Sequence, residues 1–227
     1  MIALGRPELV LIDLDGTMVD SVPDLSYAVD RMMDELEMPA RGEAKVRNWV
    51  GNGIERLVKR ALTDDMEAEP DAELYVRALD IYTRVYGANN AANSRLYPGV
   101  LEGLDALRAM GLRLACVTNK AGRFTLPLLS ALGLDGYFEL VVAGDTLPVK
   151  KPDPAPLLHA AEQLQASPGL SLMIGDSRSD VKAARAAGFA IVCVSYGYNH
   201  GEDIRLQQPD AVIDSLLELP PLLSKAA

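Results

Sequence analysis

Cysteine is scarce: only Cys116 and Cys193 occur in 227 residues, each within an apolar run, Leu112 to Val117 and Ala190 to Val194. A free thiol in such a run behaves as a small hydrophobe, so both are expected to be reduced core residues, and no disulfide framework is expected. Long apolar runs are missing as well. No stretch approaches the roughly 20 residues of a membrane span. The start, Met1 to Asp13, has no cationic segment ahead of a long apolar stretch and no small-residue cleavage site, unlike a signal peptide. The expected location is cytoplasmic. Positive charge is in deficit, with 22 Lys plus Arg against 32 Asp plus Glu and a formal net charge of -10. That field repels nucleic acid and anionic membrane surfaces, so neither is an expected partner. A small anionic substrate survives the same test, because a metal ion and a few cationic groups reverse the field locally. The two histidines, His159 and His200, are far apart and lack sequence partners, so neither receives a catalytic role. Repeats and low-complexity tracts are absent, and nothing in the sequence sets an oligomeric state.

What is present is a series of short apolar runs: Leu9 to Ile12, Leu112 to Val117, Leu140 to Ala143, Leu170 to Ile174, Ala190 to Val194 and Ala211 to Ile213. Runs of this length suit buried strands of a parallel sheet covered on both faces. Helical patterns lie between them, at Gly99 to Met110, Pro154 to Gln165 and Ser179 to Ala187, two of them stopped by Gly111 and Gly188. The alternation predicts a doubly wound, mostly parallel α/β fold. One stretch departs from it. From about Pro23 to Asn93 no strand is convincing, while Leu25 to Leu36, Ile54 to Leu62 and Asp71 to Tyr86 read as helical. The expectation is a helical cap, residues 21–94, inserted into an α/β core of residues 1–20 and 95–227. Its connectors fall near Asp20 and Tyr97-Pro98-Gly99, and it would act as a lid. Trp49 reads as a core residue of that cap, and Pro220-Pro221 with the Ala-rich end as a simple finish to the fold.

The chemistry gathers at strand ends. The first run ends in Asp13-Leu14-Asp15-Gly16-Thr17, and taken alone this is equally a turn and helix cap. Three further polar clusters follow later runs: Thr118-Asn119, Lys150-Lys151-Pro152, and Gly175-Asp176-Ser177-Arg178-Ser179-Asp180. Parallel topology brings all four to one edge of the sheet, where open α/β sheets bind ligands. Carboxylates crowded together repel unless a hard cation neutralises them, and oxygen ligands with one Lys nearby suit Mg²⁺ plus a phosphate.

In type and order these four clusters resemble the motifs of the haloacid dehalogenase superfamily of phosphatases, over nearly the whole chain. The resemblance implies that Asp13 is the nucleophile and a Mg²⁺ ligand. It makes Asp15 the general acid and base, with its backbone carbonyl on the metal. A second Asp at this position also disfavours dehalogenation. Thr118 and the Asn119 backbone N–H would bind the phosphoryl oxygens, and Lys151 would offset the charge on nucleophile and phosphate. Lys150 is an adjacent rival to Lys151; the latter is preferred because Pro152 holds it extended. Asp176 would be the third metal ligand, and Asp180 an outer or alternative ligand, or a helix cap. Arg178 is expected to pair with Asp180 or a neighbouring carboxylate.

In the cap, Gly51-Asn52-Gly53 precedes a helical run and would expose N–H groups suited to a carboxylate, with Arg56 and Lys59 as candidate supplements. With Leu96-Tyr97-Pro98-Gly99, Val117-Thr118-Asn119-Lys120 and Gly175-Asp176-Ser177-Arg178, this segment is similar to bacterial phosphoglycolate phosphatases. The implied activity is hydrolysis of 2-phosphoglycolate to glycolate and phosphate. The alternatives are another small-metabolite phosphatase of the superfamily, a sugar-phosphate phosphomutase, and, outside enzymes, a phospho-accepting signalling or binding module. A receiver domain of the last kind is disfavoured by the early Asp13 and the helical insert.

Overall fold

The computed structural model describes residues 5–223; the Ala-rich end and the first four residues lie outside the described residues. In chain order the elements open with β1 (Leu9–Ile12) and β2 (Val19–Asp20). Four helices follow, α1 (Val22–Glu35), α2 (Glu43–Trp49), α3 (Ile54–Thr63) and α4 (Ala72–Asn89). After β3 (Arg95–Leu96) the chain alternates through α5 (Val100–Ala109), β4 (Arg113–Val117), α6 (Gly122–Ala131), β5 (Leu140–Val142), α7 (Ala155–Gln163), β6 (Ser171–Gly175), α8 (Arg178–Ala187) and β7 (Ala190–Val194). It ends with β8 (Ala211–Ile213) and α9 (Leu219–Leu223).

Six strands form one sheet in the order β5-β4-β1-β6-β7-β8, every neighbouring pair parallel. This is the doubly wound α/β fold that the apolar runs predict. Side chains alternate across it with a period of two. Val10, Ile12, Leu114, Cys116, Leu172, Ile174, Val192 and Val194 face one apolar layer, while Leu9, Leu11, Ala115, Val117, Met173, Ile191 and Cys193 face the other. The two cysteines therefore lie on opposite faces of the sheet, both free and buried. β1 sits at the centre, with Ile12 level with Cys116 on one side and Ile174 on the other. The order reverses around this strand, so the carboxyl ends of β4, β1 and β6 flank a crevice.

Helices α1 to α4 carry an apolar cluster of their own, including Met32, Met33, Trp49, Leu57, Val58, Tyr82 and Tyr86. Phe124 of α6 and Tyr198 after β7 join this cluster, so the helical layer packs onto the crevice side of the sheet. Both passages between the two layers run through a small antiparallel ribbon in which Val19 pairs with Leu96 and Asp20 with Arg95. The sequence reading did not anticipate β2, β3, α2, α6 or α9, the last of which takes in Pro220-Pro221. Two-residue strands carry no readable period, and Pro127 inside α6 disguises its helical pattern.

Candidate active site

Asp13 continues β1 past its last paired residue, held by its N–H on the Ile174 carbonyl at 2.9 Å. Asp176 occupies the matching place after β6. Two glycines leave room for the Asp176 side chain beside them. A Cβ at Gly16, whose φ is 86°, or at Gly197 would collide with the Asp176 side chain. Asp176 accepts from Thr17 Oγ1 at 3.1 Å and from the Tyr198 N–H. Asp13, Asp176 and Asp180 are all buried, and each offers an oxygen within 4.8 Å of the other two.

Among the described residues Lys151 is the one cation set in this cluster. Its Nζ donates to Asp180 Oδ1 and to the Val117 carbonyl, both at 2.7 Å, and lies 2.9 Å from Asp13 Oδ1. The last contact has ion-pair distance but not hydrogen-bond geometry, and Asp13 Oδ1 is left without a hydrogen-bond partner. Burial works against the Lys151 charge, yet Asp13 and Asp180 hold its pKa above the ordinary lysine value. Lys150 points elsewhere, to Glu55 at 3.0 Å.

Three carboxylates and one ammonium do not balance. Burial, with the Asp180 charge adding to it against Lys151, pushes Asp13 up to about 7. Burial and the charges of Asp180 and Asp13 push Asp176 well above the carboxylate range. A divalent cation fits this set: the donors are oxygens, the missing charge is positive, and the buried Asp13 Oδ1 has only the Lys151 ion pair to balance it. Asp13 and Asp176 are the readier ligands. Both Asp180 oxygens are occupied, Oδ1 by Lys151 and Oδ2 by the Ser177 N–H at 3.0 Å and the Ser177 hydroxyl at 2.6 Å, in the capping box that starts α8. Arg178 is exposed, and the partner of Asp180 is Lys151.

Asp15 stands apart from the cluster. Ser21 Oγ donates to it at 2.6 Å, and Lys120 Nζ lies 2.9 Å from both of its oxygens. Thr118 is buried and accepts from the Lys120 N–H at 3.2 Å. Asn119 donates its side-chain amide to the Lys151 carbonyl at 2.8 Å and to the Gly51 carbonyl at 3.1 Å, tying the cap loop to the sheet edge. Asp13, Asp15, Thr118, Asn119 and Lys120 form one wall of a cleft whose opposite wall is Leu25, Val50, Gly51, Gly53, Ile54 and Leu57.

The haloacid dehalogenase-like hydrolase family model matches residues 7–188, a span that holds Asp13, Asp15, Thr118, Lys151, Asp176 and Asp180. The chain belongs to the haloacid dehalogenase-like hydrolases. This hydrolase is 62% identical over 224 residues to the phosphoglycolate phosphatase of Nitrosococcus oceani, covering 99% of this chain and all of that one. It is 51% identical to the phosphoglycolate phosphatase of Nitrosospira multiformis, covering 96% of each. A crystal structure described as a predicted phosphoglycolate phosphatase from Haemophilus somnus superposes with a TM-score of 0.89 at 36% identity, covering 95% of this chain and 97% of that one.

In this hydrolase the candidate cap residues divide. Gly51 and Gly53 line the cleft, Gly53 as the residue just before α3. Asn52 is not among the lining residues. Arg56 turns to Glu67 at 2.7 Å, Glu69 at 2.9 Å and the Met66 carbonyl, and Lys59 to Glu69 at 2.6 Å. Neither reaches the cleft, because acidic residues on the α3–α4 loop neutralise them first. Trp49 is buried in the cap cluster, and His200 Nδ1 lies 2.8 Å from the Asn48 carbonyl across the seam.

Sequence reasoning missed two residues. Lys120 is buried against Asp15, and its position immediately after Thr118-Asn119 at a strand end was the available signal. Tyr198 is the other. Its N–H holds Asp176, its hydroxyl pairs with Asp20 and accepts from the Ser21 N–H at 3.1 Å, and the Arg47 guanidinium lies 5.4 Å from its ring centroid. Nothing in the local sequence pointed to that role.

Proposed function

We propose that this chain hydrolyses 2-phosphoglycolate to glycolate and phosphate through an aspartyl-phosphate on Asp13, with Mg²⁺ as its cation. The observation that carries the chemistry is the buried Asp13–Asp176–Asp180 cluster, three carboxyl groups set around the single ammonium of Lys151. The substrate is suggested by relatives at 62% and 51% identity named as phosphoglycolate phosphatases. Bound through Asp13, Asp176 and the Asp15 carbonyl, the cation would supply positive charge against the phosphoryl oxygens.

The chain's own groups supply the rest. Asp13 attacks phosphorus, and the bond to the ester oxygen breaks as Asp15 gives that oxygen a proton. Asp15 then takes a proton from water, whose oxygen displaces Asp13 and yields phosphate. Thr118 and the Asn119 N–H hold the transferring group, while Lys151, fixed by Asp180, keeps the nucleophile oriented. Residues 21–94 act as a cap on the core of 1–20 and 95–227, closing over the cleft to exclude water. Among the described residues no helix is long and apolar enough to cross a membrane. The buried free thiols and acidic surface fit a cytoplasmic enzyme whose partner is a small phosphate ester rather than nucleic acid or membrane.

The test is a kinetic panel with Mg²⁺ that sets 2-phosphoglycolate against sugar phosphates, nucleotides and an aryl phosphate. The highest kcat/KM is expected for 2-phosphoglycolate. A higher value for a sugar phosphate would overturn the substrate assignment.

A further inference from the structure

A substrate carrying a carboxylate beyond its phosphate needs a positive partner for it. The cleft offers few. On the cap side the lining is apolar apart from Gly51 and Gly53, and Arg56 and Lys59 are consumed by Glu67 and Glu69. Lys151 is saturated by Asp180, Asp13 and a carbonyl, and Lys150 is paired with Glu55. The cation that does line the cleft is Lys120.

Its setting is unusual for a lysine. The side chain is 3% exposed, and Nζ lies 5.1 Å from the centroid of the Tyr86 ring, at cation–π distance. The Tyr86 hydroxyl and that of its stacked neighbour Tyr82 are both buried without hydrogen-bond partners. Among the described residues Lys120 meets only one carboxylate, Asp15, with Nζ 2.9 Å from both of its oxygens. An anionic group entering between Lys120 and the apolar cap wall would offer the ammonium a second carboxylate.

Resting on the substrate reading above, we infer that Lys120 is the specificity-determining residue: its ammonium, which lines the cleft, binds the carboxylate of the substrate. Esters without the carboxylate leave this ammonium with Asp15 alone, so discrimination is expected in kcat/KM.

Lys120→Met is compared with wild type on 2-phosphoglycolate and on ethyl phosphate, which has the same chain length and no carboxylate. The variant is expected to lose about 100-fold in kcat/KM on 2-phosphoglycolate but under about 10-fold on ethyl phosphate, so that the preference collapses. Lys120→Arg, which keeps the charge, is expected to retain most of the preference. If Lys120→Met does not fold, as judged by circular dichroism, Lys120→Gln serves in its place. Equal losses on both esters, or an unchanged preference ratio, would overturn the inference. A wild-type enzyme that shows no preference for 2-phosphoglycolate over ethyl phosphate would overturn the substrate reading instead, and the two failures are thus told apart.

Discussion

The sheet-edge wall of the cleft and the cap wall treat charge in opposite ways. On the sheet edge, carboxylates are buried in excess and the ammonium among them is fixed by three oxygens. On the cap, Arg56 and Lys59 are turned away from the cleft and cancelled by Glu67 and Glu69, leaving aliphatic side chains toward it. One wall stores unbalanced charge and the other removes it. Chemistry at phosphorus needs the first property, because groups aimed at developing charge are most effective where water is excluded. The lid closure proposed above would need the second. An apolar cap wall sheds water at little cost, whereas desolvating unpaired guanidinium groups would oppose closure.

The largest expected break on the sheet side is Asp13→Asn. Its turnover should fall by about four to six orders of magnitude, measured as Mg²⁺-dependent release of phosphate. Substantial residual hydrolysis would remove the nucleophile from the account. Next comes Lys151→Met, which leaves Asp13 and Asp180 facing each other without their shared cation. In metal-free buffer it should lose about 3 kcal/mol of stability by urea unfolding, and saturating Mg²⁺ should restore part of that loss. Equal stability of variant and wild type without metal would mean that the cluster is less charged than described.

Between the walls stands Tyr198, which touches Asp176 through its backbone and the Asp20 connector through its hydroxyl. Tyr198→Phe keeps the first contact and removes the second, so a loss of about 1–2 kcal/mol is expected. A rise in KM larger than any fall in kcat would place that loss in cap closure; an effect confined to kcat would place it at the metal site instead. The smallest effect is predicted on the cap. Arg56→Ala should change kcat/KM by less than about 3-fold, because its ion pairs with Glu67 and Glu69 lie on the surface and face away from the cleft. A tenfold loss there would show that the guanidinium leaves its glutamates to meet substrate.

The same contrast explains what the sequence made legible. Asp13, Thr118, Lys151, Asp176 and Asp180 could be placed together because each follows an apolar run, and parallel topology aligns such ends without knowledge of any side chain. Lys151 could be preferred to Lys150 from its neighbour Pro152 together with the place of the Lys in the family that the motifs resemble. Arg56 and Lys59 were different. Their direction depends on Glu67 and Glu69, which approach only once the α3–α4 loop is folded. Lys120 and Asp15 are 105 residues apart, and Tyr198 lies 178 from Asp20, so no local pattern records either contact. The two-residue strands of the connecting ribbon carry no period, and Pro127 hid α6.

The central claim is that Asp13 becomes phosphorylated. Rapid-quench mass spectrometry of the enzyme turning over 2-phosphoglycolate with Mg²⁺ tests it most directly. The account predicts one added phosphoryl group on the peptide that contains Asp13, absent without the cation and absent in Asp13→Asn. Steady product formation with no phosphoryl group on that peptide at any time would contradict it.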